Sequence, residues 1–316
     1  MQAFWMRRTF LATACAALLT TGCGSSTTES AFTPTRLLAF GDGFTDIGQK
    51  GSSYTINDGS TNNWTLQIAA HYGLTLQPAS AGGLSYAQGN ARIHTTPDAA
   101  GDAATPTLER QIDTFLGNGQ FQPGDLVLLG AGVADLIAGM AHVTAGEHSA
   151  EQYLAAARAA GEAMAGQVRR LSNSGAQNIF VTGSYDLART PWAKTIQQQE
   201  LLSQASRNFN DGLLSHIADL TQTVAFVDAA YYVNLFEGAS GGYGFSHVDS
   251  PVCTSIDAGA GIGIGAGEIN SILCTSSTLV PDADSERYLF ADKIYLTPAA
   301  HRQFGNYVYD RLRVRW

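Results

Sequence analysis

Leu37-Leu38-Ala39-Phe40-Gly41-Asp42-Gly43-Phe44-Thr45-Asp46-Ile47-Gly48 is an apolar run that ends in Gly-Asp and then bends. Such a run reads as a buried strand entering a tight turn. Further along the chain, Asp125–Gly130, Asn178–Thr182 and Val224–Asp228 are also short and apolar without alternation, and Leu74–Gln77 is a brief strand closed by Pro78. Between them lie helical patterns: Trp64–Tyr72, Leu108–Leu116, a long helix opened by the Ser149/Gln152 capping box and ended by Gly175, a Gln-rich helix from about Thr195 to Leu220, and a terminal helix opened by Thr297-Pro298. Continuous apolar strands alternating with helices predict a parallel sheet covered on both faces. In such a sheet ligands sit beyond the carboxyl ends of the strands, so the turn at 41–48 is where a site is expected. Residues 79–106 are long and irregular, the length of a functional loop, and 49–63 is a polar loop.

The chain has 316 residues, 45% hydrophobic and 14% charged, enough for one large domain or two small ones. The charged fraction is well under the usual ~25%, a look common in exported proteins. A net charge of −9 without a basic stripe excludes nucleic acid as a partner. The segment 1–23 reads as a secretory signal peptide, with Arg7 and Arg8 ahead of a small apolar stretch. Leu19-Thr20-Thr21-Gly22-Cys23 resembles a bacterial lipobox, in which Cys23 is lipidated and anchors the chain to a membrane; an ordinary signal peptide is the alternative. Residues 24–35 then form a Ser/Thr-rich tether and 36–316 the folded domain. The expected address is the cell envelope, as an outer-membrane lipoprotein, or else the periplasm or the medium. Of the four cysteines, Cys15 leaves with the leader and Cys23 is the anchor, so Cys253 and Cys274 are expected to pair in an oxidising compartment. Gly259–Gly267 follows no strand and lacks the Gly-Lys-Ser/Thr of a phosphate loop; it reads as a surface excursion. No motif calls for a cofactor, and neither CxxC nor HExxH occurs.

The opening stretch resembles the first block of the GDSL (SGNH) hydrolases, Phe-Gly-Asp-Ser-Leu-Ser-Asp-x-Gly. Gly83–Arg92 resembles the second, with Gly89 where that family keeps its oxyanion-hole glycine. Ser184–Pro191, Phe209-Asn210 with Leu213, Phe226-Val227-Asp228, and Tyr243-Gly244-Phe245 with Cys253 follow in the order seen in the secreted phospholipase, lecithinase and haemolysin-like branch. The resemblance implies a flavodoxin-like α/β/α sandwich around a five-stranded parallel sheet of order 2-1-3-4-5, and an esterase or lipase activity.

The departures fall on the residues that carry that activity. Gly43 stands where the family has its serine nucleophile, Ala134 where it has the oxyanion-hole asparagine, and Tyr295 where it has the catalytic histidine. Asp292, which would orient that histidine, remains. Two function classes follow: a pseudoenzyme that binds or interacts at the envelope, or an esterase with relocated residues, for which His301 or His247 would be the base and Ser85 or Thr45 the nucleophile. Asp42, Asp135 and Asp292 as a cation site is a third reading. Tyr295 either fills the space of an imidazole or lines an aromatic pocket with Phe44 and Tyr86, suited to an acyl, ester or glycan ligand. Gly43, Gly89, Ala134, Asp292 and Tyr295 are expected to share one cleft, lined further by Asp42, Phe44, Tyr86, Asp135 and His301.

Overall fold

The computed structural model describes residues 32–259 and 266–316. The signal segment, Cys15, Cys23 and the middle of the Gly259–Gly267 piece lie outside the described residues. Arg36–Gly41 (β1) is followed by Trp64–His71 (α1), Leu108–Asn118 (α2) and Asp125–Gly130 (β2). Val133–Thr144 (α3), Ala150–Asn173 (α4), Ile179–Thr182 (β3), Pro191–Ile196 (α5), Gln199–Ile217 (α6), Val224–Phe226 (β4) and Ala229–Gly238 (α7) come next. His247–Pro251 (β5), Tyr288–Phe290 (β6) and Pro298–Arg313 (α8) close the chain.

β1, β2, β3 and β4 lie side by side and parallel, with Phe40 opposite Leu129 and Gly41 opposite Gly130. A fifth extended segment completes the sheet on the free side of β1. There the Ala39 N–H donates to Leu84 O at 3.1 Å, and the N–H groups of Tyr86 and Gln88 donate to Ala39 O and Gly41 O. The order is therefore 2-1-3-4-5, but the second strand is 84–88, not Leu74–Gln77. The latter lies one place further out, where the Ser85 N–H donates to Gln77 O. The turn between them is tight: Gly82 has φ +83°, and a Cβ on Gly83 would stand 2.1 Å from Gln77 O. That glycine pair returns the chain onto β1.

α1 and α8 pack on one face of the sheet, α4 and α6 on the other, with α2 beside α4. The sandwich buries β2 and β3 throughout and leaves β4 partly exposed; Leu38, Val127, Leu129 and Val181 are fully buried. α4 starts at the anticipated capping box, in which Ser149 and Gln152 exchange bonds. The Gln-rich helix is two helices, because Gln197 adopts a left-handed conformation (φ +55°) and ends α5. α3, α7 and the β5–β6 pair were not anticipated. Nor are residues 32–35 free tether: Pro34 is buried, the Thr35 N–H donates to Gly124 O at 2.9 Å, and Phe32 meets Trp316 edge to face. An aromatic and a proline give that stretch apolar surface to dock, which the Ser/Thr-rich residues before it lack.

Cys253 and Cys274 are bonded, with Cα atoms 5.9 Å apart. Both are buried in a small satellite core with Ile56, Val252 and Ala291. The clamped segment folds back over the carboxyl edge of the main sheet, where the Asn57 N–H donates to Cys274 O at 2.9 Å.

α4 and α6 touch backbone to backbone. A Cβ on Gly161 would lie 1.9 Å from Phe209 O, and one on Gly212 2.4 Å from Arg158 O. Gly166, on the same helix, faces open space. Gly161→Ala is expected to destabilise by about 1–3 kcal/mol through overpacking, whereas Gly166→Ala should stabilise by roughly 0.5–1 kcal/mol through helix propensity. Urea unfolding of the two variants reads both signs.

Candidate functional site

The turn after β1 is built from backbone constraints. Gly41 has φ +148°, and a Cβ there would collide with Gly130 O at 1.9 Å. Gln111 of α2 clamps it by exchanging two bonds with the Gly41 backbone, each 2.9 Å. From the other face, the Trp64 indole N–H and the Asn63 side-chain amide donate to Phe44 O. Inside the turn, Asp42 accepts from the Phe44 N–H through one oxygen and from the Gly132 and Ala134 N–H groups through the other. One carboxylate thus ties the turn after β1 to the turn after β2. Desolvation outweighs those bonds and pushes its pKa up to about 6.

Position 43 faces position 295. Tyr295 is fully buried, and a Cβ built on Gly43 would stand 2.7 Å from its hydroxyl oxygen and 2.9 Å from Cζ. Asp292 holds the tyrosine by its backbone: one carboxylate oxygen accepts from the Ile294 and Tyr295 N–H groups, the other from the Ser271 N–H. The orienting carboxylate thus accepts three main-chain N–H groups and organises a loop. The Tyr295 hydroxyl has no partner among the described residues, and burial holds its pKa well above the ordinary phenol value.

Tyr54 completes the plug, and sequence reasoning missed it. Its ring lies 4.8 Å from that of Tyr295 and covers Gly89, whose Cβ, if present, would be 2.1 Å from Tyr54 Cε2. The Asn90 side-chain amide donates to the Tyr54 hydroxyl at 2.8 Å. Asp46 is the second unforeseen member. It accepts from the Gly48 and Gln49 N–H groups and, through its other oxygen, from the Gly89 N–H at 2.8 Å. The amide expected to serve as an oxyanion donor is therefore already engaged. Burial raises the Asp46 pKa to about 6. Gly43, Gly89, Asp292 and Tyr295 meet through these contacts, and Ala134 joins them through Asp42. What they form is a filled junction in place of an open cleft.

The remaining expected residues disperse. Phe44 is core, packed among Trp64, Tyr185, His301 and Phe304. Tyr86 stacks on Phe40 and meets Phe115 on the α2 side of the sheet. The aromatic pocket of Phe44, Tyr86 and Tyr295 does not form, because Phe44 and Tyr86 enter opposite helical layers. Asp135 accepts from the Ile93 N–H at 3.0 Å beside Arg92. His301 is fully buried 5.4 Å from the Phe44 ring, neither ring nitrogen has a partner among the described residues, and desolvation drives its pKa down to about 3. It lines no cleft. His247 is exposed and stacks on Tyr288. Thr45 donates its hydroxyl to Gly130 O, and Ser85 sits in the fifth extended segment, away from the turn tip. Asp42, Asp135 and Asp292 are each committed to backbone N–H groups, and among the described residues no group of three or more His, Cys, Asp or Glu could hold a metal ion.

Just outside Tyr54 and Gly89 a pocket of about 340 Å³ remains. Asp46, Lys50, Gln88 and Asn90 line it from the main domain; Asp257 and Asn270 line it from the disulfide-clamped segment.

The family model for GDSL-like lipase/acylhydrolase matches residues 37–308. Among solved structures, an aryl esterase of M. smegmatis aligns with 89% of this chain and 99% of its own, at 14% identity and a TM-score of 0.47. A carbohydrate acetylesterase from Sinorhizobium meliloti aligns with 88% of this chain and 97% of its own, at 14% identity and a TM-score of 0.44. Among curated proteins no match is found.

The junction predicts a coupled pair. Gly43→Ser alone should destabilise by about 1–3 kcal/mol, because the Tyr295 ring is rigidly packed. In a Tyr295→His background the same change should cost markedly less. A double-mutant cycle measured by urea unfolding reads the coupling.

A second expectation concerns pH. The folded pKa of His301 is below its unfolded value near 6.5, so the unfolded chain binds the extra proton. Its contribution is complete above about pH 6.5 and is lost as pH falls towards 3. Relative to His301→Phe, the wild type should lose about 2 kcal/mol between pH 7 and pH 5. Parallel stability curves for the two proteins would contradict this.

Proposed function

The chain belongs to the GDSL-like lipase/acylhydrolase family, and from that premise we propose that it uses the family scaffold for binding or interaction at the cell envelope, without the family's ester chemistry. The observation that carries this reading is the contact between residues 43 and 295. Acyl transfer by a serine hydrolase needs a hydroxyl nucleophile, a base in hydrogen-bond reach and donors for the oxyanion. Position 43 has no side chain, and Tyr295 occupies the space into which one would project. A buried phenol with a raised pKa cannot accept a proton as imidazole does. The Gly89 amide is bonded to Asp46 instead of being free for an oxyanion. Nucleophile and base act as a unit, and losing either costs on the order of 10⁶ in rate.

Neither histidine weighed as a substitute supports a relocated triad. A general base working near neutral pH cannot be a ring whose pKa is about 3, as that of His301 is. His247 lies with Tyr288 on the β5–β6 pair. The reading extends to export and to lipidation at Cys23, which rest on the leader and lipobox residues alone.

Purified wild type should hydrolyse p-nitrophenyl butyrate no faster than buffer. Gly43→Ser/Ala134→Asn/Tyr295→His should turn it over measurably, and each single reversion should stay at background. Saturable turnover by the wild type would overturn the proposal and favour an active esterase.

A further inference from the structure

We infer that the pocket beside Tyr54 and Gly89 takes a neutral carbohydrate; the inference rests on the binding reading above and names its ligand class. The pocket is what remains of the carboxyl-edge opening once Tyr54 and Tyr295 have filled its floor. At about 340 Å³ it falls at the small end of the usual range for small-molecule sites, roughly 300–1,000 Å³. Asp46, Gln88 and Asn270 are all at least nine-tenths buried. The wall carrying Asp257 and Asn270 is held by the Cys253–Cys274 bond, with the Asn270 side-chain amide donating to Asp257 at 2.9 Å.

The chemistry of the walls selects the ligand. Two carboxylates, two asparagines and a glutamine converge there around a single ammonium, Lys50. Lys50 lies 3.4 Å from Asp102, so the pocket offers no uncommitted cation to hold a phosphate or a free carboxylate. An acyl chain would bury amide groups without giving them partners, at about 1–3 kcal/mol each. The buried Asn90 Oδ1 is an acceptor with no partner among the described residues. Among the described residues Gln88 Nε2 reaches only Thr105 Oγ1, at 3.4 Å. Asn270 and Asp257 are engaged with each other and with the Ile272 and Gly259 N–H groups, so the unpartnered Asn90 Oδ1 and the weakly held Gln88 amide are the groups that match a ligand whose hydroxyls both donate and accept.

The test is saturation-transfer NMR on the full chain against maltotriose, cellotriose, xylotriose and chitotriose at millimolar concentration, with butyrate esters and glycerol phosphate as contrasting probes. At least one trisaccharide should receive saturation, and glycerol phosphate should receive none. Asn90→Gly, which keeps the φ of +66° accessible, and Gln88→Ala should each weaken sugar binding by about tenfold, the loss of one or two hydrogen bonds. Thermal melts of both variants separate this from misfolding. Absence of transfer to every trisaccharide, or transfer unchanged in both variants, overturns the inference. These outcomes are independent of ester turnover: an inert protein that ignores sugars sinks only the ligand class, whereas an active one that binds them sinks only the loss of catalysis.

Discussion

The Tyr295 phenol occupies the space into which any side chain at position 43 would project, with 2.7 Å between its oxygen and the Cβ that glycine lacks. That exclusion organises the carboxyl edge of the sheet. A ring this buried needs neighbours on every side, and Tyr54 supplies the outer one. Tyr54 in turn needs residue 89 to be glycine, for its ring edge sits where a Cβ would be. The two glycines and two tyrosines are therefore one packing unit. A serine at 43 would collide with the tyrosine at 295 and force a shift, before any question of chemistry arises.

Three buried aspartates hold the frame around that unit. Asp42 spans the turns after β1 and β2, Asp46 joins the first turn to Gly89, and Asp292 joins the Tyr295 loop to Ser271 of the disulfide-clamped segment. Each carboxylate accepts three backbone N–H groups. Desolvation still raises all three from the ordinary aspartate value. Such groups are costly to bury and stay because removing one would orphan several buried donors at once. The architecture thus rests on carboxylate-to-backbone bonds that need no serine and no histidine.

The sequence disclosed local features well and non-local ones poorly. β2 lies where its apolar run predicts, and α4 opens on the Ser149 capping box, because both signals act within a few residues. Gly43 and Tyr295 were legible as a pair through motif order. Tyr54 was not, since a tyrosine in a Gly/Asn-rich loop carries no sign of where that loop will land. The second strand was misplaced by about ten residues for the same reason: 84–88 has no strand pattern of its own and is extended because it pairs with β1. Phe44 and Tyr86, expected to line one pocket with Tyr295, face different layers. The left-handed residue that splits α5 from α6 is a glutamine, a type that gives no warning.

The central claim is that no hydroxyl at this edge is activated for attack on an acyl or phosphoryl centre. Intact-mass spectrometry after prolonged exposure to a fluorophosphonate measures that most directly, because the reagent reports an activated nucleophile whatever its position and whatever its natural substrate. The account predicts an unchanged mass under conditions that fully modify a serine esterase run alongside. A stoichiometric phosphonyl adduct that maps to Ser85, Thr45 or another hydroxyl near the Gly43–Tyr295 junction would contradict it.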